Sequence, residues 1–217
     1  MVICPLCNNK ESLKIIKGPD SRAYRECDQC RLIFTEARFL PSEESEKKRY
    51  LTHKNGIQYK GYVNFLNRAI EPALPFLNKD MRGLDFGCGP SPTLSVILEQ
   101  KGLICDNYDI FFFPDLPREK YDFIFATECF EHFFFPAKEI QHIKSLLKAN
   151  GILIIMTETW KSVKAFTNWY YARDFTHVSF FHIQTFDFIA QKFEFEILKC
   201  INERVVIMRR TETADVD

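Results

Sequence analysis

Four cysteines near the amino terminus stand in two pairs, Cys4-x-x-Cys7 and Cys27-x-x-Cys30, with 19 residues between the pairs. A Cys-x-x-Cys turn aims two sulfurs at one point, and an intervening loop of this length can return a second such turn to face the first. Four thiolates that converge make a tetrahedral zinc site. They also close the coordination sphere, so Cys4, Cys7, Cys27 and Cys30 are expected to hold a structural zinc and not a Lewis-acid catalyst. A redox role is disfavoured because both pairs compete for one metal. Cys88, Cys105, Cys129 and Cys200 lack this spacing and read as free buried thiols.

A second group of residues could bind a nucleotide-like ligand. Asp85-Phe86-Gly87-Cys88-Gly89 follows a strand pattern and precedes a helical one, the setting of a nucleotide-binding glycine loop. Gly87 and Gly89 permit a tight turn and close approach of backbone to ligand. No Gly-Lys-Ser/Thr follows, which excludes a phosphate-cradling P-loop, and Pro92 stands where a dinucleotide fingerprint wants its third glycine. Asp109 comes 24 residues after Asp85, the length of one helix plus one strand, and so ends the second strand as a candidate ribose acceptor. Thr127, Glu128, Glu131 and His132 follow a third apolar strand, and His177 lies in an aromatic-rich segment. Histidine titrates near neutrality, so His132 and His177 are the candidate general bases, with loop-ordering roles as the competing reading.

The elements needed to position these groups are legible in outline. Leu13–Lys17, a Gly18-Pro19-Asp20 turn and Arg22–Arg25 read as a hairpin between the cysteine pairs, with Leu32–Phe34 as a third strand. Residues 41–49 are a charge-mixed run, read as a short capped helix over a linker with a solvated face. Residues 59–77 have helical periodicity, ended by Pro72 and Pro75. Strands are then expected at 83–87, 103–110, 121–127 and 151–157. Helices are expected at 93–100, 137–147 and 185–192, followed by a closing strand pair at 193–201 and 204–208. Pro117 bounds the third of these strands, and 211–217 is a polar tail. Strands alternating with helices imply a parallel sheet with crossover helices.

Leu84-Asp85-Phe86-Gly87-Cys88-Gly89 resembles motif I of class I S-adenosylmethionine-dependent methyltransferases. Tyr121–His132 resembles that family's fourth strand and the loop after it. Leu147–Ile155 resembles its turn into the fifth strand, with Ala149 and Asn150 in place of Pro-Gly. Trp169–Phe181 resembles a segment of many members that act on small molecules, and the whole layout resembles an uncharacterised bacterial subgroup that begins with a zinc ribbon. The resemblance implies a Rossmann-like α/β fold: a mostly parallel sheet with the last strand antiparallel and helices on both faces, preceded by a small zinc module. It implies S-adenosylmethionine held by Asp85, Phe86, Gly87, Cys88, Gly89, Asp109, Ile110, Thr127 and Glu128. The expected division is 1–40 zinc ribbon, 41–80 linker and helices, and 81–217 methyltransferase domain.

Composition narrows the function. Apolar residues at 46% and charged residues at 27% exclude disorder as the main state. Twenty-nine basic and 29 acidic residues cancel, so no global positive field gathers nucleic acid. The aromatic content of 15%, with 22 Phe, suits both a core and a pocket for an organic ligand. No apolar run approaches the ~20 residues of a membrane span, and the first residues lack a signal-peptide pattern, which points to the cytoplasm. The expected activity is methyl transfer to a small or medium organic acceptor. The alternatives are an RNA or protein methyltransferase whose ribbon presents the substrate, and a non-catalytic cofactor-binding module. Trp160, Phe166, Trp169, Tyr170, Tyr171, Phe180 and Phe181 are expected to line the acceptor site or to pack a cap over the sheet.

Overall fold

A computed structural model describes residues 2–53, 55–116 and 119–211. Met1, Pro117 and residues 212–217 of the expected tail lie outside the described residues. Strands β1 (Leu13–Ile16) and β2 (Tyr24–Cys27) form the expected hairpin, with Leu13 opposite Cys27, and β3 (Ile33–Thr35) adds to β2. Two helices follow, α1 (Glu43–Tyr50) and α2 (Lys60–Ala73). Pro72 falls in the last turn of α2, and Pro75 lies in the 3-10 turn that ends it.

The main body begins with β4 (Arg82–Phe86), α3 (Leu94–Gln100), β5 (Ile104–Tyr108), β6 (Tyr121–Thr127), α4 (Pro136–Leu146) and β7 (Leu147–Met156). It closes with α5 (Val163–Phe166), β8 (Ser179–Phe180), α6 (Ile183–Phe193), β9 (Phe195–Ile201) and β10 (Val205–Arg210). The six-stranded sheet has the order β5-β4-β6-β7-β10-β9. Pairings among β5, β4, β6 and β7 are parallel, and β10 runs antiparallel to both its neighbours, as expected for the last strand. This is the Rossmann-like arrangement expected from the sequence. Among the described residues no strand stands between β5 and β6; an isolated bridge from Asp109 to Phe113 marks that stretch, and β5 is the sheet edge.

Alternation along the buried strands sets the two layers. Phe123 and Phe125 of β6, with Ile152, Ile154 and Met156 of β7, face one side and pack on Leu66, Ala69 and Ile70 of α2 and on α3. Ile124, Ala126, Leu153 and Ile155 face the other side, toward Ile140 and Ile143 of α4 and Phe186 and Ile189 of α6. Each such fully buried Leu, Ile or Phe contributes roughly 1.5–3 kcal/mol. Strand β7 starts earlier than its sequence pattern indicates. Leu147 pairs with Tyr121, the register then shifts, and Asn150 takes a left-handed φ of 59° just before Gly151. The Lys148–Gly151 irregularity therefore lies within the strand and does not precede it.

The small sheet has the order β1-β2-β3-β8, so a strand from beyond residue 178 completes the amino-terminal hairpin. Tyr24, Ile16 and Ile33 of this sheet bury against Trp160, Phe166, Tyr171 and Phe180. Those late aromatics are the interior of a seam between the two sheets, and none of the seven named above lines the large cavity. Cys88, Cys105 and Cys129 are buried as expected; Cys200 is exposed, because β9 is a sheet edge.

Candidate active site

The two cysteine turns are built alike. In each, the amide four residues on donates to the first cysteine's carbonyl, Asn8 to Cys4 and Arg31 to Cys27. The first cysteine's own amide donates to the carbonyl five residues on, Cys4 to Asn9 and Cys27 to Leu32. Each turn closes on a left-handed residue, Asn8 (φ 64°) or Arg31 (φ 59°). The four sulfurs lie within 4.8 Å of one another, with Cys4 to Cys30 at 3.5 Å and Cys7 to Cys27 at 3.4 Å. Sulfurs at about 2.3 Å from one tetrahedral zinc would stand about 3.8 Å apart, so the cluster fits that ion. Hydrogen bonds from Cys30 and Cys4 push Cys27 well below the usual thiol range, while Cys30 is pushed well above it. Sulfurs this close cannot all ionise without a cation among them.

A cavity of about 570 Å³ opens at the carboxyl ends of β4, β5 and β6. The chain leaves β4 for β5 on one side and later for β6 on the other, which makes a crevice where ligands bind in open α/β sheets. Asp85, Phe86, Gly87, Cys88, Gly89, Asp109, Ile110, Thr127 and Glu128 all line this one cavity, as do His132 and His177. The turn after β4 is held by the amides of Gly87 and Cys88 donating to the Tyr108 carbonyl. Gly87 (φ +80°) has no room for a side chain, since a Cβ would stand 2.6 Å from Cys129 Sγ. Gly89 (φ +68°) faces open space, a gap beside the backbone into which a ligand can come close.

The two acids of the crevice differ. Asp109 accepts from the Gly89 amide at 3.0 Å on one oxygen and from Phe111 and Phe112 amides at 2.8 and 3.2 Å on the other. It thereby joins the β4 and β5 turns, with an acceptor site left on the oxygen that faces Gly89. Asp85 is 2% exposed, and its Oδ1 has no hydrogen-bond partner. Burial, with the Asp109 charge second, pushes its carboxyl up to about 7. A buried, unpartnered acceptor beside an open glycine turn calls for a hydrogen-bond donor or cation from a ligand.

The loop after β6 carries the other polar groups. Glu128 takes a left-handed φ of 49°, a strained conformation for a non-glycine residue, and its amide donates to Met156. Burial, then the neighbouring Glu131 charge, pushes Glu128 up to about 8, while Arg204 3.8 Å away opposes this. Glu131 is fully buried and accepts from Thr157 Oγ1 at 2.8 Å and Tyr171 OH at 2.5 Å. His132 Nδ1 lies 3.0 Å from the Thr176 carbonyl, and His177 Nδ1 lies 2.7 Å from the Tyr171 carbonyl. Their rings are 4.8 Å apart. Burial, with the His132 charge second, pushes His177 down to about 4, so it is neutral at physiological pH.

Sequence reasoning missed two contributors. The charge run at 41–49 forms the expected capped helix, with Ser42 as its cap and most of its charges in solvent, but Glu46 and Tyr50 turn inward and line the cavity. Glu46 is 6% exposed, accepts from Tyr50 OH at 2.9 Å, and is pushed up to about 7 by burial. Tyr50 four residues after Glu46 was the available signal, a single i,i+4 pair facing one way. The second is Arg22 in the β1–β2 hairpin. Its guanidinium donates to the carbonyls of Phe175 (3.2 Å), His177 (2.8 Å) and Asp174 (3.1 Å), and also to Ala172. Arg49 of α1 grips the same loop through Asp174 at 2.6 and 3.0 Å.

Residues 58–199 match a family described as Methyltransferase domain. Among solved structures, the chain resembles a putative methyltransferase from Bacillus halodurans at 12% identity, with 68% of this chain and 99% of that one covered and a TM-score of 0.50. It also resembles magnesium protoporphyrin IX methyltransferase from Synechocystis with bound SAM, at 15% identity, with 78% and 92% covered and a TM-score of 0.51. At these identities the likeness is one of fold. No curated protein sequence matches.

Proposed function

The chain belongs to the methyltransferase domain family, and from that premise we propose that it is an S-adenosylmethionine-dependent methyltransferase acting on a small or medium organic acceptor. The observation that carries the cofactor is the buried, unpartnered Asp85 oxygen beside the open Gly89 turn, with Asp109 across the same crevice. In this reading Asp85 receives the amino-acid end, Asp109 the ribose hydroxyls, and Phe86, Gly87, Cys88, Gly89, Ile110, Thr127 and Glu128 complete the wall. The cavity volume suits a cofactor with a small acceptor. Four thiolates at Cys4, Cys7, Cys27 and Cys30 support a structural zinc, and with it a division into a ribbon (1–40), connecting helices (41–80) and a methyltransferase domain (81–217). Among the described residues no helix is long and apolar enough to cross a membrane.

When bound, the cofactor supplies a methyl group already activated on a sulfonium sulfur. What the chain must supply is alignment and exclusion of water. Strand ends fix Asp85 and Asp109, α1 closes one wall through Glu46 and Tyr50, and the 172–177 loop closes another through His177. Asp174, accepting from Arg49 and Thr176, is held well below the usual carboxylate range despite its burial and locks that loop. His177, neutral and aimed into the cavity, can take a proton or hold an acceptor. Calorimetry with S-adenosylhomocysteine tests the reading. Saturable binding of one equivalent is expected, and no binding to well-folded protein would end it.

A further inference from the structure

Glu131, His132 and His177 each bring one donor atom within 4.8 Å of the others. Each imidazole has Nδ1 against a backbone carbonyl, Thr176 for His132 and Tyr171 for His177. A carbonyl only accepts, so each Nδ1 carries a proton, and in the neutral ring Nε2 holds the lone pair that can bind a metal. Beside them lies a fully buried carboxylate. Two imidazoles and one carboxylate thus stand within ligand distance of one another, a set that suits a cation.

The surroundings are those of metal ligands. Ligating histidines donate their other N–H to carbonyls, and ligating carboxylates are themselves hydrogen-bonded. Both conditions hold here, since Glu131 accepts from Thr157 Oγ1 and Tyr171 OH on its two oxygens. His132 and His177 line the cavity and Glu131 is fully buried beside them, so an ion held by the three would border the acceptor space.

We propose that Glu131, His132 and His177 form a second metal site, separate from the four cysteines, which binds a divalent first-row transition ion and through it the hydroxyl of an oxygen acceptor. Two imidazoles and one carboxylate favour such an ion over Mg²⁺ or Ca²⁺. The ion lowers the pKa of the acceptor hydroxyl. The hydroxyl proton passes to water, an oxygen lone pair forms the new O–C bond, and the C–S bond breaks with its electrons kept on sulfur. The two histidines are then ligands and not general bases. The acceptor class rests on the proposed methyltransferase reading; the metal site rests on side-chain geometry alone.

Mn²⁺ is the probe, because it avoids thiolates and leaves a zinc-loaded cysteine cluster intact. It is titrated into the full chain and followed by electron paramagnetic resonance, with S-adenosylhomocysteine affinity measured on the same sample. One bound Mn²⁺ is expected, with nitrogen couplings from two imidazoles in the echo-modulation spectrum of the unmutated protein. His132→Asn and His177→Asn should each weaken Mn²⁺ at least about tenfold, with zinc content unchanged. No bound Mn²⁺ at millimolar concentrations, or bound Mn²⁺ without nitrogen coupling, overturns the site. If the nucleoside binds while Mn²⁺ does not, the metal site fails and the methyltransferase reading stands. If Mn²⁺ binds with both couplings and the nucleoside does not, the site stands and the functional reading fails.

Discussion

At the scale of single residues, the two acids of the crevice make different predictions. Asp109 already serves three backbone amides, so Asp109→Ala removes both a turn brace and the proposed ribose contact. Affinity for S-adenosylhomocysteine is expected to fall by about 1–3 kcal/mol in calorimetry. Asp85 acts through its proton. Its folded value, about 7, stands above that of an unfolded carboxylate, so its stabilising contribution is complete below the ordinary carboxylate value and is lost as pH rises through about 7. Glu46, also raised to about 7, adds in the same direction. The stability of the ligand-free protein should therefore decline from pH 5 to pH 8 by on the order of a few kcal/mol, read as a falling melting temperature. Asp85→Asn should flatten that decline, and an unchanged slope in thermal melts would show that the carboxyl titrates normally.

Between elements, the amino-terminal hairpin acts as a clamp on the loop that carries His177. A single guanidinium, Arg22, holds four carbonyls of that loop and is itself paired with Asp20 at 2.9 Å. Arg22→Ala removes a charged donor from all four carbonyls, of which Asp174 and Ala172 keep another, and should cost at least about 2 kcal/mol in denaturant melts. It should also loosen the 172–177 loop, read as faster amide exchange there than in β6. Cys27→Ser should release metal and unfold the cysteine turns, because a module of this size has too little core of its own. Metal analysis that finds one full equivalent of zinc in that variant would refute the four-thiolate assignment. The hairpin's grip on the loop also predicts that zinc loss reaches the cavity, lowering nucleoside affinity or acceptor turnover without touching Asp85 or Asp109.

For the whole molecule, the two sheets are one structure joined by β8. Strand β3 pairs with Phe180 and Ser179, Trp160 Nε1 donates to the Arg31 carbonyl at 3.1 Å, and Lys192 Nζ donates to the Leu6 carbonyl at 2.8 Å. Deleting residues 1–40 would uncover Trp160, Phe166 and Phe180 and leave β8 unpaired. At roughly 1.5–3 kcal/mol per buried large side chain, the remainder should be unstable or aggregate, as gel filtration and circular dichroism would show. A soluble, cooperatively melting remainder would mean that the seam contributes little.

Local chemistry made much of this readable from residues alone. The cysteine turns, the glycine loop and the crevice acids are short-range patterns, each set by what a few neighbouring residues can do. The parallel sheet follows from apolar periodicity and chain order, and its reversed last strand from the resemblance to class I methyltransferases. Only the tertiary structure decided which distant groups meet. Glu46 looks like one charge among many until α1 is laid over the crevice. Arg22 is an ordinary hairpin arginine until the 172–177 loop returns beneath it, and the late aromatics are wall or seam depending on where β8 pairs. Spacing along the chain fixes contacts within a turn or a strand pair, whereas contacts across more than a hundred residues depend on how whole elements dock, which no local pattern encodes.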